Sequence, residues 1–195
     1  MKSKLSVLFN VPNIIGYIRF ILICIAWKNI TDAKIFLLFF GANCMLDMLD
    51  GIAARCLNQV SNYGAVLDVV VDIFGRGVTW CFLGKYGYVV PAWEWFVFAC
   101  NHAQVRGVQW KEQFKLAPKL VKRVMSHNFK TPLGMLVMCG IFGLPIALYC
   151  DQYTTLPVIM PTVFSACLCI LGIGRLLGFY VEAWCVVQHI SKMLL

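Results

Sequence analysis

Six long apolar stretches, over roughly residues 11–27, 33–57, 64–84, 88–110, 132–150 and 157–190, leave this chain few choices of fold. An α-helix needs about 20 apolar residues to cross the hydrocarbon core of a bilayer, and these stretches are of that order. They are continuous, whereas the wall of a β-barrel alternates apolar and polar residues along each strand. With 61% hydrophobic residues, 13% charged ones and a mean hydropathy of +0.77, the chain has too little polar surface to cover a water-soluble globule. The expected fold is all-α and integral to the membrane, a six-transmembrane-helix bundle. Residues 1–195 show no repeat, linker or composition break and read as a single membrane domain. The basic start "MKSKLSVLFN" is followed by no small-residue cleavage site, so the first apolar segment is expected to persist as a helix.

Charge between the segments orients them. Arg106, Lys111, Lys115, Lys119, Lys122, Arg123 and Lys130 stand between the fourth and fifth segments against Glu112 alone, which marks that side as cytoplasmic. With six spans, Lys2, Lys4 and the connection after Arg55 fall on the same side. The connection "CDQYTTLPVIMP", without a basic residue, falls opposite. Phe114, Leu116, Leu120 and Val121 among the lysines suggest a helix lying along the headgroup layer. The net charge of +8 thus reads as a basic membrane-facing surface, and no nucleic-acid partner is expected. Ten scattered cysteines without a C-x-x-C pair read as small packing residues. Gly140, Gly143, Gly172, Gly174 and Gly178 are spaced for close helix approach and offer a homodimer face.

Against this background, "DMLDGIAARCLNQVSNYGAVLDVVVD" (47–72) holds four of the nine acidic residues. An ionised carboxylate inside a membrane helix costs about 3 kcal/mol on insertion scales, so four together require compensation. Asp47, Asp50 and Gly51 lie at i, i+3 and i+4 and share a helical face; Asp68 and Asp72, at i and i+4, share a face of the next helix. Two helices can therefore aim four carboxylates at one point beside the short "NQVSN" connection. Hard divalent cations take such oxygen ligands, which suits Mg²⁺ or Mn²⁺ completed by substrate phosphates. Gly51, Ala54, Gly64 and Ala65 keep the helix walls thin enough for a base or pyrophosphate to approach, and Arg55 could clamp a phosphate.

Simpler roles remain open at this point. The carboxylates could pair with Arg19, Arg55, Arg76 or Arg175 inside the bundle. Arg19, within the first segment, could meet the acidic cluster or a substrate phosphate, or snorkel to the interface. A divalent-cation passage site would use the same carboxylates, although such sites lie near the midplane between repeats. His102, His127 and His189 are given no catalytic role. Trp93, Trp95 and Trp110 read as interface anchors.

The order D-x-x-D-G-x-x-A-R, eight residues, then G-x-x-x-D-x-x-x-D is filled by Asp47, Asp50, Gly51, Ala54, Arg55, Gly64, Asp68 and Asp72. It resembles the signature of the CDP-alcohol phosphotransferase family. The resemblance implies six transmembrane helices with the motif across the second and third. It also implies Mg²⁺ or Mn²⁺ held by Asp47, Asp50, Asp68 and Asp72, and a CDP-linked substrate held by Gly51, Ala54, Arg55 and Gly64. Asp72 would be the general base on an alcohol that attacks the β-phosphorus and releases CMP. Over about the first 75 residues, including "FNVPNIIGYIRF", the chain is most similar to the eukaryotic branch that joins CDP-diacylglycerol and myo-inositol. That similarity implies phosphatidylinositol as product and an endoplasmic reticulum enzyme whose site faces the cytoplasm. The chain departs from that branch where the acceptor should sit. Arg76 follows Asp72 by one turn and not directly, "FACNHAQV" lacks an acidic residue just before His102, and "SHNFKTP" replaces an aromatic-rich entry to the fifth segment. Another acceptor or donor, or an inactive paralogue, are the alternatives these departures raise.

Overall fold

The computed structural model describes residues 4–105 and 117–194, and among them there are helices and turns but no strand. The helices are α1 (Val11–Lys28), α2 (Ala33–Cys56), α3 (Asn62–Leu83), α4 (Val89–Val105), α5 (Lys119–Met125), α6 (Pro132–Tyr153), α7 (Leu156–Ile159) and α8 (Pro161–Met193). Their starts are written in the sequence. Asp32 caps α2 by accepting from the N–H groups of Lys34 and Ile35, Ser61 caps α3, and Thr131 caps α6. Pro12, Pro132 and Pro161 stand in first turns, where no N–H is needed.

Four of these helices, α1, α2, α6 and α8, are long and apolar enough to cross a membrane. The other two expected spans stand apart for physical reasons. Helix α3 has 22 residues but carries Asp68, Asp72 and Arg76, and α4 has 17 residues and carries Glu94. Outward faces of the long helices are apolar: Met45, Met48, Leu49 and Ile52 on α2 and Val163, Ile170, Ile173 and Leu176 on α8 are exposed. Such surface suits lipid, not water. All ten cysteines are free; Cys100, Cys150 and Cys185 are buried, whereas Cys44, Cys56, Cys81, Cys139, Cys167 and Cys169 lie on exposed faces.

The chain divides into two compact units, Met1–Tyr88 and Val89–Leu195. In the first, α1 packs along α2 and also against α3. Ile23, Ala26, Phe36, Val71 and Ile73 form its buried apolar part, and Gly75 lets Ile23 approach α3 to 3.0 Å from where a Cβ would sit.

In the second unit, α6 and α8 pack backbone to backbone. A Cβ on Gly140 would lie 2.3 Å from the Arg175 nitrogen, and one on Gly174 2.2 Å from the Leu136 oxygen. Gly143 and Gly178 meet Leu171 and Ile141 in the same contact, and only Gly172 of the five faces open space. Small residues at such a crossing exchange side-chain volume for dispersion between helices, the term that drives association where lipid replaces water. Helix α5 adds Val121 and Val124 to a core with Ala117, Val137, Val181 and Cys185, and turns Lys119, Lys122 and Arg123 outward. That amphipathic split matches the expectation for the basic connection; its residues 106–116 lie outside the described part.

Candidate active site

The site lies within the first unit and starts from the turn between α2 and α3. Helix α2 ends in a Schellman arrangement: the Gln59 N–H donates to the Ala54 carbonyl at 2.9 Å and the Asn58 N–H to Arg55 at 3.3 Å. Asn58 takes the left-handed conformation, φ 51°, which asparagine tolerates better than most residues. Three residues later the Ser61 hydroxyl accepts from the Gly64 N–H at 3.0 Å and opens α3. The Gln59 side-chain oxygen accepts from the Val11 N–H at 2.9 Å, tying this turn to the start of α1.

From this turn the motif carboxylates project one to three helical turns away and converge on α1. Their meeting point is Arg19, which is fully buried. Its Nη1 reaches Asp50 Oδ2 and Asp68 Oδ1, each at 2.6 Å. Its Nη2 reaches Asp47 Oδ1 at 2.7 Å and Asp72 Oδ1 at 2.5 Å. The Nε donates to the Asn43 side-chain oxygen at 3.3 Å. Arg76 adds a distant contact, 3.9 Å from Asp72 Oδ2. Four carboxylates thus face one close guanidinium, and the cluster carries excess negative charge. The carboxylates of Asp50 and Asp72 are 12% and 18% exposed, those of Asp47 and Asp68 38% and 46%, so the cluster has a closed side and an open one.

One oxygen from each of Asp47, Asp50 and Asp68 lies within 4.8 Å of the others, so the three could hold a metal ion. The donor set fits a hard divalent cation: every donor is a carboxylate oxygen, and a positive group already sits among them. Asp72, one turn deeper on α3, joins this trio through Arg19.

Beside the cluster opens a pocket of about 370 Å³. Asp50 and Asp68 form its wall toward the cluster, and Gly16, Gly51, Ala54, Arg55, Gly64 and Ala65 are among its lining residues. Gly64 is required by space: a Cβ there would lie 2.7 Å from the Asn13 side-chain oxygen and 3.1 Å from the Ser61 hydroxyl. Asn13 is itself buried and is held by donating to the Val7 carbonyl at 2.6 Å. At Gly51 the guanidinium of Arg55 lies over the backbone, 3.6 Å from a built Cβ. The motif's small residues and its arginine therefore line one cavity, and two of its acidic residues, Asp50 and Asp68, form one wall.

The model of the CDP-alcohol phosphatidyltransferase family matches residues 9–166, which include every residue of this cluster and pocket. The chain belongs to that family. This CDP-alcohol phosphatidyltransferase family member is similar to "CDP-diacylglycerol--inositol 3-phosphatidyltransferase" of Saccharomyces cerevisiae, 41% identical over 95 residues, 47% of this chain and 40% of the yeast protein. It is 47% identical over 72 residues, 36% of this chain, to "Probable CDP-diacylglycerol--inositol 3-phosphatidyltransferase 2" of Arabidopsis thaliana, covering 32% of that protein. The rat protein of the first name is 36% identical over 90 residues, 44% of this chain and 39% of its own length. Each match spans between a third and two fifths of the relative, and no solved structure matches.

Two residues of this cluster, Arg19 and Asn43, lie outside the motif. In the sequence, Arg19 is one of four arginines able to pair with the carboxylates, with the acidic cluster, a substrate phosphate and the interface all open to it, and Asn43 has no motif position. An arginine eight residues into an apolar helix was the available signal for the first; a buried asparagine one turn before Asp47 carries little signal by itself. Arg175, another of the four, pairs within the second unit with Glu94 at 3.1 Å and Glu182 at 2.8 Å.

Proposed function

We propose that this protein transfers a phosphatidyl group from CDP-diacylglycerol to myo-inositol, giving phosphatidylinositol and CMP. The observation that carries this reading is one cavity lined by the motif's small residues and Arg55 and walled by motif carboxylates. The relatives' shared name supports inositol as the acceptor.

In this reading the nucleotide lies against Gly51, Ala54 and Gly64, where the absence of larger side chains admits a flat base and ribose. Arg55 pairs with the phosphates by charge-assisted hydrogen bonds. Asp47, Asp50, Asp68 and Asp72 hold Mg²⁺ or Mn²⁺. When bound, the metal neutralises the pyrophosphate and the charge that develops on the departing phosphate. Asp72 takes the proton from the inositol hydroxyl as that oxygen bonds to the β-phosphorus. The bond from the β-phosphorus to the bridging oxygen breaks, and CMP leaves with the electron pair. No covalent enzyme intermediate forms. Asp72 stands one turn beyond Asp68 on α3 and shares Arg19 with the other three carboxylates, which supports its place in the same site.

The membrane arrangement proposed with this chemistry is six spans, α3 and α4 crossing as well as the four more apolar helices. The charged residues of α3 then face the site, and the acyl chains of the donor stay in the bilayer. The basic connection before α6 faces the cytoplasm, where inositol and CMP are exchanged, and the membrane is that of the endoplasmic reticulum. The test is CMP release from CDP-diacylglycerol by purified protein in detergent with Mn²⁺ or Mg²⁺. Release that requires myo-inositol is the expected result. Release with another alcohol but not inositol would discard the acceptor and keep the chemistry, and no release with any alcohol from folded protein would discard both.

A further inference from the structure

Building on the reading of the acidic cluster as a divalent-cation site, we infer that Arg19 is its placeholder: guanidinium and metal compete for the same carboxylates, and metal loading displaces the arginine.

The geometry is that of a substitute cation. Each Nη of Arg19 bridges one carboxylate from α2 and one from α3, Nη1 joining Asp50 to Asp68 and Nη2 joining Asp47 to Asp72. Those are the pairings through which a metal would link the two helices. The guanidinium donates four hydrogen bonds, from Nε to Asn43, from Nη1 to Asp50 and Asp68 and from Nη2 to Asp72, and Nη2 adds an ion pair with Asp47. A divalent ion taking these oxygens as ligands would draw on the same lone pairs that the Arg19 nitrogens engage at 2.5–2.7 Å. Two cations on the same carboxylates repel each other and compete for their oxygens, so entry of the ion favours withdrawal of Arg19.

The arrangement solves a problem of folding order. Four carboxylates brought together without a cation would force α2 and α3 apart, and Arg19 lets the first unit close before any metal arrives. The guanidinium, once displaced, stays beside the pocket, because Asp50 and Asp68, the partners of Nη1, also line it. An anionic ligand in that pocket therefore offers the released arginine a new partner. Binding of the anion and binding of the metal should reinforce each other through Arg19.

The experiment is a Mn²⁺ titration followed by electron paramagnetic resonance on the purified full chain, for wild type, Arg19→Gln and Arg19→Lys, with and without CDP. Without CDP, Arg19→Gln is expected to bind Mn²⁺ about tenfold more tightly than wild type, or tighter still, since a like charge no longer shares the ligands. Arg19→Lys keeps one charge on one nitrogen, should fall between them, and carries the test should the glutamine variant not fold. CDP should tighten Mn²⁺ binding in wild type and do so much less in Arg19→Gln. Equal or weaker Mn²⁺ binding by both variants would overturn the placeholder role while leaving the metal site intact. Absence of Mn²⁺ binding in all three proteins would overturn the metal reading on which the inference rests.

Discussion

Two buried arginines, Arg19 in the first unit and Arg175 in the second, each pair with more than one carboxylate, yet they differ in how many they face and in how exposed those carboxylates are. Arg175 faces Glu94 and Glu182, a ratio of two to one, and both carboxylates are largely buried, 4% and 16% exposed. The Trp93 Nε1–H donates to Glu182 at 2.9 Å, and the Phe179 ring lies 3.9 Å from the guanidinium. Arg19 faces four carboxylates, two of them substantially exposed, with a 370 Å³ pocket alongside. A buried charge cluster that is enclosed and nearly balanced holds helices together. One that is under-neutralised and open is arranged to take up something more. Burial and ion pairing are common to both; unmet charge and access distinguish a site from a brace.

Mutations at the two arginine clusters should therefore separate activity from stability. The largest effect is expected at Asp72→Asn, which removes the proposed base. CMP release should fall by about 10²–10⁴-fold, with the thermal unfolding midpoint little changed. Arg175→Met should do the reverse. Removing one partner of a buried pair typically costs about 3–5 kcal/mol, so the unfolding midpoint should drop sharply while CMP release per folded molecule stays within about twofold. Gly64→Ala places a methyl 2.7 Å from the Asn13 oxygen and should act on both readouts. We expect about 1–3 kcal/mol of lost stability from overpacking, together with weaker CDP binding by calorimetry. Ser61→Ala removes only the α3 cap and should cost about 1 kcal/mol in denaturant unfolding. Loss of CMP release in Arg175→Met protein that remains folded would erase the distinction between the two clusters.

Much of the first unit was legible because its information is local. The i, i+3 and i, i+4 spacing of Asp47, Asp50, Asp68 and Asp72 predicts shared helix faces, and the capping serine and asparagine-containing turn fix how α2 hands over to α3. Apolar run lengths put the second segment at 33–57, against Ala33–Cys56 in the structure. The role of Arg19 was less legible, because periodicity does not say which face of α1 meets α2 and α3. The Arg175 cluster was not legible at all: Trp93 and Glu182 are 89 residues apart, and nothing in their spacing links them. The glycines show a third kind of limit. A stripe of small residues reads alike whether it serves an internal crossing or a dimer, and here Gly140 and Gly174 serve the α6–α8 crossing. Four of the six expected spans are long and apolar enough to cross a membrane, and in α3 Asp68, Asp72 and Arg76 lower the likeness to a membrane helix.

The central claim is that the acidic cluster of the first unit is a phosphatidyl-transfer site, and labelled myo-inositol tests it most directly. Purified wild type, Asp68→Asn and Glu94→Gln would be incubated with CDP-diacylglycerol and Mn²⁺, and label would be counted in the lipid extract. The account predicts label in lipid with wild type and Glu94→Gln, and loss of it with Asp68→Asn. Equal incorporation by Asp68→Asn and wild type would contradict it.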